Sequence, residues 1–230
     1  MTVPVVTIRP EPGCSATVRT GRAQGLDVHG WPLFEVRSRT WEAPSPEEVD
    51  ALLLGSANAV RLGGGGLRSL IDKPVYAVGE ATAAAARDAG FTVVSTGAGR
   101  LQEVVDRILA PLRLLRLTGE EHVPVVPPPG VTIDLRVGYA SEPRPMPEDL
   151  AQVLRGGAVA LLHSAVAAQH FARECERLRV PRAAVALAVL APRIAAAAGR
   201  GWRDSRSAEA ITEGALLALA TDMCHAATGR

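Results

Sequence analysis

Ala51-Leu52-Leu53-Leu54-Gly55-Ser56-Ala57 and, far along the chain, Ala158-Val159-Ala160-Leu161-Leu162-His163-Ser164-Ala165 are two versions of one phrase. Each is a short, unbroken apolar run that ends on a serine at the expected mouth of a helix. An unbroken run of that length is what a strand buried on both faces requires, since neither face meets water. The serine can then accept a hydrogen bond from the free N–H groups of the first helical turn. A second pair of phrases repeats the pattern. Residues 75–78, then Gly79-Glu80, then an Ala-rich helix before Gly90, are echoed by residues 183–190, then Ala191-Pro192, then residues 194–198 before Gly199. A helical segment at 208–220 matches one at 100–110. Two copies of one unit account for this better than a single long sheet, and the expected class is α/β, with two similar parallel-sheet domains.

The remaining segments fit the same alternation. Residues 3–8 are expected as a strand ended by Arg9-Pro10, residues 15–24 as a helix closed by Gly25, and residues 28–36 as an extended segment. A short helix is expected from Ala57. Residues 81–89 are predicted as a helix capped by Gly90, a residue free to take a left-handed conformation. A strand at 91–94 and a helix at 100–110, stopped by Pro111, follow. Between the domains the chain crosses twice, through extended segments at 31–41 and 131–143 marked by Pro32, Pro44, Pro145 and Pro147. Two crossings imply a discontinuous first domain. Two such strands side by side can form a hinge, and the cleft between the domains is where a ligand is expected.

Composition narrows the function class. Of 230 residues 47% are hydrophobic but only 3% aromatic, so the core must be built from Ala, Val and Leu, as in helix-covered sheets. The net charge is +1 and Lys73 is the only lysine, with no basic stripe interleaved with aromatics of the kind a nucleic-acid groove needs. Met1-Thr2-Val3-Pro4 does not begin a secretory signal, and the best apolar run, 183–191, is broken by Pro192 and Arg193. A soluble, cytoplasmic protein without membrane partners is expected. Cys14, Cys175 and Cys224 are odd in number and far apart, which argues against a disulfide framework and a thiolate metal site.

Thr7-Ile8-Arg9-Pro10, Leu52-Leu53-Leu54-Gly55-Ser56-Ala57-Asn58-Ala59-Val60, and Val75-Tyr76-Ala77-Val78-Gly79-Glu80-Ala81-Thr82 followed by Ala89-Gly90-Phe91 stand in an order and spacing that resembles the uroporphyrinogen-III synthase family. The resemblance implies two α/β domains joined by a two-stranded β-ladder hinge, with residues 1–34 and 141–230 in one domain, 42–134 in the other, and 35–41 and 135–140 as hinge strands. It also implies a monomer, no cofactor, and hydroxymethylbilane as substrate. Carried over position by position, the substrate-binding residues would be Arg9, Ser56, Asn58, Thr82, Thr118 and Ser164, with Tyr139 catalytic. The second half departs from the family pattern. Ala191-Pro192-Arg193-Ile194 stands where a threonine is common, and Pro124, Pro127, Pro128 and Pro129 erode the helix expected after Thr118-Gly119.

The implied chemistry asks little of acid–base groups. Hydroxymethylbilane carries eight carboxylates, and loss of its terminal hydroxyl as water gives an azafulvene that closes unaided to the symmetric I isomer. The III isomer requires attack at the substituted carbon of the terminal ring, through a spiro intermediate that recloses with that ring inverted. Outrunning spontaneous closure by roughly a thousandfold needs about 4 kcal/mol of differential stabilisation, which orientation and a few hydrogen bonds can supply. Helix N-termini near Ser56, Gly79 and Ser164 suit carboxylates, although Ser56, Thr82 and Ser164 also read simply as caps. The Tyr139 phenol can donate a hydrogen bond to the departing hydroxyl, or serve only as a strand residue at the hinge. Arg9 ends a strand where its fork could meet a propionate, or be a plain surface arginine.

Other motifs carry less. His163 and His170 have no third ligand near them in sequence, Cys14 has no base partner, and Gly63-Gly64-Gly65-Gly66 lacks the Lys-Ser or Lys-Thr of a phosphate loop and reads as a flexible loop. The rival reading from another class is a two-lobed module that binds a tetrapyrrole or other polyanion without turning it over.

Overall fold

The computed structural model describes residues 3–109 and 111–227. Met1 and Thr2, where the N-terminal reading began, and Ala110, where the predicted helix 100–110 was to end, lie outside the described residues. In chain order the elements are β1 (Val5–Thr7), α1 (Gly13–Ala23), β2 (Val28–Gly30), β3 (Phe34–Ser38), β4 (Ala51–Leu54), α2 (Ala57–Leu62), α3 (Gly64–Arg68), β5 (Val75–Ala77), α4 (Glu80–Asp88), β6 (Val93–Thr96), α5 (Leu101–Asp106), β7 (Leu112–Gly119), β8 (Val131–Pro143), α6 (Glu148–Arg155), β9 (Ala158–Leu162), α7 (Ala165–Arg177), β10 (Val185–Val189), α8 (Pro192–Ala198), β11 (Asp204–Ser207) and α9 (Glu213–Ala227). The fold is α/β. Its residues divide into two compact units, Met1–Glu35 with Glu142–Arg230, and Val36–Ser141.

The first unit is built on a parallel sheet in the order β11-β10-β9-β1-β2. Its central strands bury both faces, and alternate residues divide between two cores. Val6, Ala160, Leu162, Leu187 and Val189 face α6, α7 and α8, while Val5, Val159, Leu161, Ala186 and Ala188 face α9. This two-sided burial is why the β9 run reads as continuously apolar. The chain entering α6 is clamped to α7 by Glu174, which accepts from Met146 N at 2.6 Å and from Arg177, while His170 Nε2 lies 2.7 Å from the Arg144 carbonyl.

The second unit carries a sheet in the order β3-β8-β7-β4-β5-β6, with β8, β7, β4, β5 and β6 parallel. Leu52, Leu54, Leu115 and Leu117 face one core; Ala51, Leu53 and Leu114 face the other, toward α5. Each buried leucine of this kind contributes about 1.5–3 kcal/mol of transfer free energy, so β4 is a principal anchor of the unit. Gly90 closes α4 at φ +92°, the left-handed conformation that its C-terminal position calls for.

Several boundaries moved for identifiable reasons. The extended segment 28–36 is two strands, broken where Pro32 removes a donor. The four glycines read as a flexible loop are instead partly helical: Gly64–Arg68 forms α3, because Leu67 and Leu70 are buried and Trp41 Nε1 donates to the Gly63 carbonyl at 3.1 Å. The helix predicted at 208–220 starts later, at Glu213. Thr212 Oγ1 accepts from Ala215 N, while Ala208 N still pairs with the Val189 carbonyl beside β11, a polar edge strand with no apolar signal. Helix α6, between the crossing segment and β9, was not anticipated, although its buried Leu150, Ala151 and Leu154 show helical spacing. Residues 120–130 form neither helix nor strand.

Candidate functional site

In the second unit the expected polar residues lie along the carboxyl edge of the parallel sheet, on or just after four neighbouring strands, the edge at which open α/β sheets bind ligands. Ser56 follows β4 and caps α2, accepting a hydrogen bond from Asn58 N at 3.2 Å. Asn58 is half-buried in the first turn of that helix. Thr82 follows β5, but it does not cap α4: Gly79 occupies the N-cap position and Thr82 lies inside the helix, 5% exposed. Thr118 is near the end of β7, 8% exposed. Tyr139 lies on β8 in register with Gly119, after a shift in the ladder between Thr118 and Gly119. Its ring lies against that glycine so closely that a Cβ there would come 2.7 Å from Cε2. Gly119 is thus what allows the ring its position.

In the first unit Ser164 caps α7, accepting from Ala167 N at 3.1 Å. Arg9 is not a plain surface arginine. Its Nη1 donates to Glu213 Oε2 at 3.0 Å and to Thr17 Oγ1 at 3.4 Å, and its guanidinium lies over Gly13, where a Cβ would approach Nε to 2.5 Å. His163 Nε2 is 3.0 Å from the same Glu213 oxygen, and Thr17 Oγ1 donates to the other. His163 Nδ1 is buried without a partner among the described residues.

Burial pushes the Glu213 carboxyl up. The hydrogen bonds from His163 and Thr17, with the charges of His163 and Arg9, more than offset this and hold its pKa at about 2. A carboxylate is therefore fixed between Arg9 and His163 at the carboxyl ends of β1 and β9. Sequence reading missed Glu213 and Thr17, since an acidic residue in a first helical turn is too common to stand out. Cys14 is driven up to about 11, mainly by burial, so its thiol is protonated at neutral pH. No group of three or more His, Cys, Asp or Glu suited to a metal occurs among the described residues.

Comparison with known proteins adds identity to geometry. No curated protein sequence matches the chain. The crystal structure of uroporphyrinogen-III synthetase from Helicobacter pylori 26695 shares the fold, with a TM-score of 0.65 at 18% identity over 96% of this chain and 99% of that one. Uroporphyrinogen III synthase from the extremely thermophilic bacterium Thermus thermophilus aligns over 99% of this chain and 98% of that one at 18% identity, with a TM-score of 0.40, too low to bear on the fold. The sequence pattern of the family described as Uroporphyrinogen-III synthase HemD matches residues 15–218, which span most of both units. The chain belongs to the uroporphyrinogen-III synthase family.

Proposed function

We propose that this enzyme, a cyclising lyase of its family, closes hydroxymethylbilane with loss of water and inversion of the terminal ring, using Tyr139 as the hydrogen-bond donor to the departing hydroxyl. Ser56, Asn58, Thr82 and Thr118 in the second unit, and Arg9 and Ser164 in the first, bind the substrate's carboxylates. The observation that carries the reading is that Ser56, Thr82 and Thr118 fall at the carboxyl ends of β4, β5 and β7, neighbours in the sheet, with Tyr139 of β8 in register with Gly119 at the same edge. A phenol suits the step because it donates without adding charge beside an anionic substrate. Strands β3 and β8, through which the chain passes from one unit to the other, act as the hinge.

The enzyme works as a cytoplasmic monomer, with no cofactor and with neither nucleic acid nor membrane as partner. The near-neutral charge supports the exclusion of nucleic acid, and no helix among the described residues is long and apolar enough to cross a membrane. The test is to treat the purified protein with a chelator, give it hydroxymethylbilane and no nucleotide, and resolve the product isomers. The III isomer should predominate. Because free bilane closes unaided, substrate loss alone is uninformative; a III fraction no greater than in the protein-free control would favour the binding module.

A further inference from the structure

Arg116 is the anomaly of the second unit. It lies within β7, 4% exposed, paired in register with Leu53 on one side and Leu135 on the other. A guanidinium cannot shed its proton to escape burial, so a buried arginine ordinarily has a carboxylate partner and spends most of its five donors. Among the described residues Arg116 has neither. It forms no ion pair, and its one hydrogen bond runs from Nη2 to the Val123 carbonyl at 2.7 Å, a neutral acceptor. Burial pushes its pKa down, and the ionisable group that acts against this is the Tyr139 phenol rather than any carboxylate.

The surroundings suit a carboxylate. Strand alternation puts Thr118 on the same face as Arg116, roughly 7 Å along β7 toward the carboxyl edge; the residue is buried, and its hydroxyl makes no hydrogen bond among the described residues. Residues 120–130 lie over this face without helix or strand of their own. They are held by Arg116 at Val123 and by Gln102 on α5, which donates to the Val126 carbonyl at 2.8 Å and accepts from Val126 N at 2.9 Å. A segment attached by a few side-chain bonds can shift at small cost to admit a ligand group.

We propose that Arg116 and Thr118, under the 120–130 segment, form a binding subsite for one carboxylate of the polycarboxylate substrate. The inference rests on the cyclisation reading for the identity of that substrate. The guanidinium fork takes the carboxylate through donors that the protein leaves unspent, and the threonine hydroxyl supplies a further hydrogen bond. The Tyr139 phenol is close enough to act on the Arg116 charge, while its ring packs with Leu115 and Leu117 on the other face of the sheet.

The test uses Arg116→Met and Arg116→Lys in the full chain, with two readouts. The first is thermal stability with and without benzenehexacarboxylate at matched ionic strength. Wild type should gain melting temperature with this probe and Arg116→Met should not, while without the probe Arg116→Met should melt at or above wild type, because it removes an uncompensated buried charge. The second is kinetics with hydroxymethylbilane: KM should rise about ten- to hundredfold in Arg116→Met, more than kcat falls, with Arg116→Lys between. If Arg116→Met unfolds or melts lower while Arg116→Lys keeps wild-type stability and KM, the residue is a structural pin for Val123 and the proposal is overturned. Should the wild-type protein give no excess of the III isomer, the cyclisation reading fails, yet the probe-induced shift still decides whether the subsite exists.

Discussion

Replacing Glu213 with Gln keeps the shape of the side chain and removes the charge on which Arg9, Thr17 and His163 converge. The carboxyl's pKa falls from 4.5 to about 2 on folding. At about 1.4 kcal/mol per unit the full shift would correspond to about 3 kcal/mol. The side chain is 31% exposed, so solvent screens part of this, and about 1–2 kcal/mol is expected at neutral pH. Because the folded pKa is depressed, this stability is fully present above the unfolded value near 4.5 and is lost as pH falls toward about 2. The gap between wild type and Glu213→Gln should therefore be constant from about pH 8 to 5 and narrow below about pH 4.5. In urea, with a slope of roughly 2 kcal/mol per molar, it corresponds to a midpoint difference of about 0.5–1 M. Paired urea titrations at pH 7, 5, 4 and 3.5 measure it. A gap that stayed constant or widened on acidification would refute the claim that the folded state favours the charged carboxylate.

Two further outcomes bear on Tyr139 and its seat. Tyr139→Phe should slow ring closure by roughly ten- to a hundredfold, as for loss of one positioned proton donor, with the fold retained; an unchanged rate of III-isomer formation would take the phenol out of the mechanism. Gly119→Ala should displace the Tyr139 ring, since the new Cβ would lie 2.7 Å from Cε2, costing about 1–3 kcal/mol of stability and slowing the same step. Normal kinetics and stability in that variant would mean that the ring position needs no glycine beneath it.

What could be read from the sequence follows the range of the signal. Strands β4 and β9 were legible because both their faces are buried, so every residue must be apolar, and the serines after them cap helices because the first turn needs an acceptor there. Thr82 resembled a cap in sequence but lies within α4, because the extended residue that opens the helix is Gly79. Edge strand β11 escaped notice since its residues Asp204–Ser207 are held by backbone pairing to β10 rather than by apolar burial.

The two arginines of Leu112-Arg113-Leu114-Leu115-Arg116-Leu117 mark the boundary between the two kinds of information. Nothing local distinguishes them, yet Arg113 is half-exposed and paired with Asp50 at 2.8 Å, while Arg116 is buried with a single carbonyl for company. Glu213 is equally ordinary in sequence and becomes the centre of a four-residue cluster only when α9 meets the ends of β1 and β9. The sequence by itself determined the α/β class and the serine-capped helix starts after β4 and β9, because these depend on periodicity and on contacts within a few residues. The partners of Arg9, the isolation of Arg116 and the seat of Tyr139 over Gly119 were decided by the tertiary structure, because burial and charge pairing depend on which distant segments the sheets bring side by side.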